Sequence, residues 1–370
     1  MQKFQEIINS YNLNKTKYVQ NISSFEKTII DVPELYRRDQ LIDQLISEKD
    51  LSLMCCGEHE FRSKTVIEDL MNGLNDEEID LLKEVNFKIS ENNSTWRQPV
   101  VPKPSIIRHL YQRRLFKENF EKKLHVLEIG PGSGYLGLFL QKLGHTVLSH
   151  EIYQPYYMYQ YWLYNIFNLV NETCTEEKFK IIKNKINHLP WWHYFKIAMI
   201  KDIKIDVVII NHAFRELNKY ARAYLLKIIK EKNCKLFMEH LGGGNLISPR
   251  HAIKLLKENG LVVKKRGGTV KLVGNFFILE RNKKFKKDKV NKNFIQKIIF
   301  KLVSIFEFKK ITEYFYNIFS NLNDEYLFYF NKLRNKKDRN KYSFRDVERI
   351  YEENKWNHNS LNEDFLNKLK

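Results

Sequence analysis

The sequence is poor in cysteine: Cys55, Cys56, Cys174 and Cys234 are the only ones in 370 residues. No Cys-x-x-Cys pair occurs, so the usual zinc-site spacing is missing. Cys55 and Cys56 are adjacent and poorly placed to bridge each other. This usage fits a reducing cytoplasm. A long apolar run is also lacking. The longest, IIFKLVSIFEF at 298–308, is interrupted by Lys301 and Glu307. It falls short of the roughly 18 apolar residues of a spanning helix. The opening MQKFQEIINSYNLNK holds no continuous apolar segment, so no secretory signal is expected. No internal repeat is evident. Arginine is scarce, with 16 residues against 47 lysines. Arginine is the better residue for forked phosphate recognition. A lysine-rich solvated surface therefore explains the net charge of +19, with an anionic partner as the second explanation.

What is present suffices for a core: 43% of residues are hydrophobic and 14% aromatic. The charge is uneven. Residues 1–124 carry net −1, residues 125–281 net +11 and residues 282–370 net +9. Three regions follow: a helical one at 1–95, a central domain at 96–281 with an extended lead-in over 96–124, and a basic helical one at 282–370. In the first, Ser63–Gly73 and Asp76–Val85 are expected helices; NDEEIDLLKE has an Asn/Asp start and acidic first-turn residues. The prolines of WRQPVVPKPSI predict extended chain, then a helix from about Pro104 to Lys117. In the last, Ile295, Ile298, Ile299, Leu302, Ile305 and Phe306 recur at helical spacing. Packing on the core or on another subunit is the first explanation; a lysine-faced helix on a lipid surface is the second.

Between them, strands and helices alternate. Strands are expected at 125–130, 145–152, 205–211 and 235–240, and helices at 134–144, Pro155–Asn168, Arg215–Lys232 and Pro249–Asn259. Segments 261–266 and 270–281 read as a closing antiparallel pair. Such alternation implies a largely parallel α/β sheet. The strongest signal is Glu128-Ile129-Gly130-Pro131-Gly132-Ser133-Gly134, between the first strand and its helix. There a parallel sheet presents its ligand crevice. A second acid, Glu151, ends the next strand, where a carboxylate can accept both hydroxyls of a ribose. Gly132, Gly134 and Gly137 also match a dinucleotide fingerprint. Glu128 opposes that reading, because a carboxylate repels a pyrophosphate and suits a cation.

Glu-x-Gly-x-Gly-x-Gly resembles the first motif of class I S-adenosylmethionine-dependent methyltransferases. The resemblance implies a Rossmann-like, mostly parallel sheet with an antiparallel last strand. It also implies that S-adenosylmethionine is the cofactor. Glu128 then faces the methionine ammonium through the loop, Gly130, Gly132 and Gly134 pass under the ligand, and Glu151 holds the ribose. Nucleic-acid amino-methylating members carry Asn/Asp-Pro-Pro-aromatic after the fourth strand; here Asn211-His212-Ala213-Phe214 stands there. Cytosine-5 enzymes use a Pro-Cys nucleophile, and no such dipeptide occurs. Pro99-Val100-Val101-Pro102, Ser105, Arg108, the glycine loop, Asn211 to Leu217 and Tyr224-Leu225 together resemble a family of sugar O-methyltransferases from bacterial polysaccharide gene clusters. That similarity covers roughly 96–281.

An O-methyltransferase must remove a hydroxyl proton, for which a neutral histidine suffices. His212 and His240 are the candidates by position, with Glu216 as orienter. Glu216 as a first-turn helix acid is the alternative. A divalent cation acidifying the hydroxyl, held by Glu216, Glu239 or a histidine, stays open. Tyr157, Tyr161 and Tyr164 share a helix face, for core packing or for stacking on adenine or sugar. Trp191, Trp192 and His193 are expected in a connection near adenine; two adjacent tryptophans point apart unless the chain bends, so at most one of them is expected as a contact. The expected partner is a sugar or glycan acceptor, nucleotide- or lipid-linked, with nucleic acid second. A catalytically inactive binding module of the same fold is the third reading. The expected location is the cytoplasm, with peripheral contact at the inner membrane surface.

Overall fold

A computed structural model describes residues 2–21, 44–55, 72–92, 104–120, 122–175, 180–198, 200–211, 213–239, 247, 249–267 and 276–282. Several expectations lie outside them: the extended lead-in at 96–103, most of the helix at 63–73, His212, His240, the glycines 242–244, and the basic region from 283 onward.

The apolar segments form strands where they were expected, trimmed by a residue or two, except that 270–275 of the last lie outside the described residues. β1 (His125–Ile129) and β2 (Thr146–Glu151) are followed by α4 (Tyr135–Lys142) and α5 (Gln154–Ile166). β5 (Val207–Ile209), α7 (Lys219–Lys232), β6 (Lys235–Glu239) and α8 (Pro249–Glu258) continue the alternation. β7 (Leu261–Gly267) and β8 (Phe276–Arg281) form the antiparallel closing pair. Before the sheet come α1 (Gln2–Asn21), a 3-10 helix at Glu48–Cys55, α2 (Asp76–Glu91) and α3 (Pro104–Asn119). Asn75 and Glu78 make a reciprocal capping box at α2, each side chain accepting the other's amide at 3.0 Å. The helix then outruns the expected Val85, because Leu82, Val85 and Ile89 stay buried on one face.

Residues 170–197 correct the expectation of a plain connection. β3 (Val170–Glu172) and β4 (Ile186–Pro190) are strands, and Trp191–Ile197 is a helix, α6. Asn187 and His188 broke the apolar pattern that would have revealed β4. They are buried because partners satisfy them: Asn187 Oδ1 accepts from Asn171 Nδ2 at 2.9 Å and the Ile182 amide at 2.7 Å. The chain bends into a helix at the two tryptophans, the one case in which they were not expected to point apart. Both begin α6, their rings 5.3 Å apart and edge to face, and both are buried.

The sheet runs β3-β4-β2-β1-β5-β6-β8-β7, and only the pairings made by β8 are antiparallel. This is the expected α/β, Rossmann-like sheet with a reversed strand near its edge, extended at the opposite edge by β3. Parallel strands bring their carboxyl ends to one edge. Register confirms it: Glu151 lies beside Pro190, Ile129 beside His150 and Ile209 beside Phe237. Among the described residues no helix is long and apolar enough to cross a membrane. Cys174 and Cys234 are buried free thiols.

Candidate functional site

The loop after β1 turns on three glycines with positive φ: Gly130 at 62°, Gly132 at 58° and Gly134 at 79°. Gly134 caps α4, and a Cβ there would stand 2.5 Å from the Tyr164 hydroxyl and 2.8 Å from Gln160 Cγ. Only glycine fits both the backbone and the space. Gly137 is needed for a different reason. A Cβ on it would sit 2.7 Å from Glu128 Oε2, so the carboxylate lies directly against the first turn of α4.

Both expected acids are at this edge and both are buried. Burial pushes Glu128 up to about 8; the Glu151 charge adds to the rise, and the Gly137 amide opposes it. Burial also raises Glu151 to about 7, against the amides of Tyr153, Ile152 and Gly132 and the Gln160 side chain. Glu151 Oε1 accepts from the amides of Ile152 at 2.9 Å and Tyr153 at 3.0 Å. Glu128 Oε2 and Glu151 Oε2 accept no well-formed hydrogen bond, although the N–H groups of Gly137, Gly132 and Gln160 lie near enough to favour the charged carboxylates. Buried acceptors left this way are costly, and a bound ligand is one thing that satisfies them. They suit a cationic group and vicinal hydroxyls, the two features that the implied donor would present. The residues present therefore fit S-adenosylmethionine.

Sequence reasoning missed what braces the loop. Gln160 on α5 donates to the Gly132 carbonyl at 2.6 Å, and the Tyr164 hydroxyl donates to the Gly134 carbonyl at 3.1 Å. Behind them His188 has one ring nitrogen 3.1 Å from Gln160 Oε1 and the other 3.0 Å from Glu172 Oε2. Glu172 also accepts from the Tyr157 hydroxyl and the amides of Thr173 and Cys174. The tyrosines of α5 thus belong to the core and to this network. The spacing of Gln160 and Tyr164 on one helix face was the available signal, but their partners lie across the fold. His150, one residue before Glu151, stacks on Tyr194 at 4.1 Å. Burial lowers it to about 3, so it is neutral near pH 7.

At the ends of β5 and β6 a second polar cluster forms. Glu239, fully buried, accepts from Arg108 Nε at 3.3 Å and Nη2 at 3.1 Å, and from Gln112 Nε2. Asn211 joins it, donating to Gln112 Oε1 at 3.1 Å and accepting the Glu239 amide at 2.8 Å. The cluster fixes α3 against the crevice edge, and it engages both Glu239 oxygens. Glu216 is not a first-turn helix acid. α7 starts at Lys219, because Asn218 caps it by accepting the amides of Tyr220 and Ala221 at 2.9 Å. Glu216 lies in the turn before that cap, with its amide bonded to Ala213 O at 2.9 Å. Among the described residues no group of three His, Cys, Asp or Glu is placed to hold a metal. A cleft of about 850 Å³ lies at the opposite edge, beside Leu124, Asp206 and Lys235, where the strands begin.

No protein-family model matches the sequence, and neither does any curated protein. Among solved structures the chain is similar to a ribosomal protein L11 methylase from Lactobacillus delbrueckii subsp. bulgaricus, at 15% identity over 47% of this chain and 77% of that one, with a TM-score of 0.31. It is also similar to a TehB-like SAM-dependent methyltransferase from Corynebacterium glutamicum, at 14% identity over 46% and 87% of the two chains, with a TM-score of 0.34. A third is the magnesium protoporphyrin IX methyltransferase of Synechocystis PCC 6803, at 15% identity over 56% and 97%, with a TM-score of 0.32. The fold assignment rests on the strand order and pairing directions themselves.

Proposed function

We propose that this chain is an S-adenosylmethionine-dependent O-methyltransferase that transfers a methyl group to a hydroxyl of a sugar or glycan. The observation behind the cofactor is the pair of buried carboxylates, Glu128 and Glu151, each with an oxygen beside the glycine loop that accepts no well-formed hydrogen bond. A bound donor supplies an electrophilic methyl group on a sulfonium. Glu151 would hold the ribose hydroxyls, with the amides of Ile152 and Tyr153 fixing its Oε1. Glu128 would face the donor's ammonium, and Gln160 and Tyr164 hold the loop in its turn. Glu128, raised by burial in the free chain, would shift toward its ionised form beside that charge.

The sugar acceptor is supported by the resemblance of the segments around Arg108, the glycine loop and Asn211 to Leu217. His212 or His240 would take the hydroxyl proton, with Glu216 orienting it. Both histidines lie outside the described residues, and their roles follow from position after β5 and β6. Calorimetry with S-adenosylmethionine tests the cofactor: absence of heat, together with no effect of Glu151→Ala, refutes the enzyme reading. Transfer of a labelled methyl group into glycan supports the acceptor, and transfer into RNA replaces it with a nucleic acid. Full activity in both His212→Ala and His240→Ala removes the base assignment.

A further inference from the structure

No side chain packs over the turn at Gly132: a Cβ there would meet nothing within 4 Å. A hydrogen bond from α5 ties it down instead, and that bond depends on groups at the β3–β4 edge. Gln160 and His188 are both fully buried. The Gly132 carbonyl only accepts, so the Gln160 atom 2.6 Å from it is the amide nitrogen. Reversed, the side chain would set two acceptors against each other. Gln160 Oε1 therefore faces His188 Nε2 at 3.1 Å, and Ser149 Oγ donates to the same oxygen at 3.4 Å. An amide oxygen cannot donate, so His188 Nε2 must carry a hydrogen.

The other side of the ring makes a second demand. His188 Nδ1 lies 3.0 Å from Glu172 Oε2. Glu172 Oε1 already accepts the amides of Thr173 and Cys174, each at 2.8 Å, and the Tyr157 hydroxyl. Three N–H and O–H groups on one oxygen favour an ionised carboxylate, which only accepts. A neutral imidazole has one N–H and cannot serve two acceptors. With Glu172 ionised, both ring nitrogens therefore carry hydrogen, and the pair is neutral overall. A ring with a single N–H would give it to the carboxylate, the stronger partner. Nε2 would then oppose Gln160 Oε1, and the hold on Gly132 would weaken. Tyr157 stacks on the ring at 3.8 Å and Tyr164 meets it edge-on at 5.6 Å, which keeps it in this orientation.

We propose that His188 is a positioning residue for the methyl donor: backed by Glu172, it gives its Nε2 hydrogen to Gln160 and so fixes the Gly132 turn of the glycine loop. This rests on the donor reading above and extends it to β3 and β4.

The test joins imidazole nitrogen NMR of the full chain to calorimetry with S-adenosylmethionine. In ligand-free wild type at pH 7 the His188 signal, assigned by its loss in His188→Gln, should show hydrogen on Nε2. A bare Nε2 overturns the proposal. His188→Phe keeps a ring beside Tyr157 and removes the N–H, so the dissociation constant should rise about three- to tenfold. Gln160→Met should raise it by a similar factor. The double variant should go no further than Gln160→Met alone, because both act through one bond. Factors that multiply in the double variant overturn the proposal, since independent structural losses add in free energy. Glu172→Gln offers Nδ1 an amide N–H and leaves Nε2 its hydrogen, so it should lose less affinity than Glu172→Leu; the reverse order overturns the proposal. If His188→Phe does not fold, the ring signal and the Glu172 pair decide. Wild-type affinity in His188→Phe, with loss in Glu151→Ala, overturns the proposal and leaves the donor reading standing. A wild-type chain that takes up no S-adenosylmethionine overturns both.

Discussion

Replacing Glu128 with glutamine should make the ligand-free protein more stable and the donor site worse. In the fold the carboxyl is moved from an ordinary 4.5 to about 8, with burial as the first cause and Glu151 as the second. A raised acid favours folding below its unfolded value, near 4.5, and that contribution is lost as pH rises through 8. At 1.36 kcal/mol per unit, the ionised group costs the native state about 5 kcal/mol at most. Glu151 shares part of that cost, so a gain of about 2 kcal/mol is expected from the neutral amide. For a domain of this kind that is a rise in Tm of about 4–8 °C at pH 8.5. The gain shrinks toward pH 5, where the native carboxyl is protonated. The same substitution removes the charge that faces the donor's ammonium, so donor affinity should fall at least about tenfold. Wild-type affinity should rise between pH 6 and pH 8.5, as Glu128 and Glu151 lose their protons. Thermal melts at the two pH values and calorimetry across that range read these effects. A variant no more stable at pH 8.5 than at pH 5, relative to wild type, refutes the buried-charge account.

The glycine loop and the crevice edge give two more expectations. Gly134→Ala meets a φ of 79° and contacts of 2.5 and 2.8 Å, so it should cost about 2–4 kcal/mol in urea unfolding. Gly132→Ala meets a φ of 58° with nothing within 4 Å and should cost about 1–2 kcal/mol; equal losses would contradict the packing of Tyr164 and Gln160. Arg108→Met leaves the buried Glu239 carboxylate without its cation and should cost about 3 kcal/mol or more. Adding Glu239→Gln should recover part of that loss; a strictly additive double variant would mean that the pair is not coupled.

The sequence by itself determined the alternation of strands and helices, the reversed closing pair, and the place of Glu128, the three glycines and Glu151. Those signals are local: apolar runs, turn glycines and an acid at a strand end each follow from a few neighbouring residues. Its lack of cysteine pairs and of spanning apolar runs was equally local. Only the tertiary structure decided the rest. It made β4 from a segment whose Asn187 and His188 look exposed until Asn171, Glu172 and Gln160 reach them. It moved Glu216 out of α7, because Asn218 competes better for the first free amides. It joined Arg108 to Glu239 across 131 positions, and it laid Tyr11 against Trp192. Such pairings join residues far apart in the chain, and nothing in the local pattern of a single sequence encodes their distance.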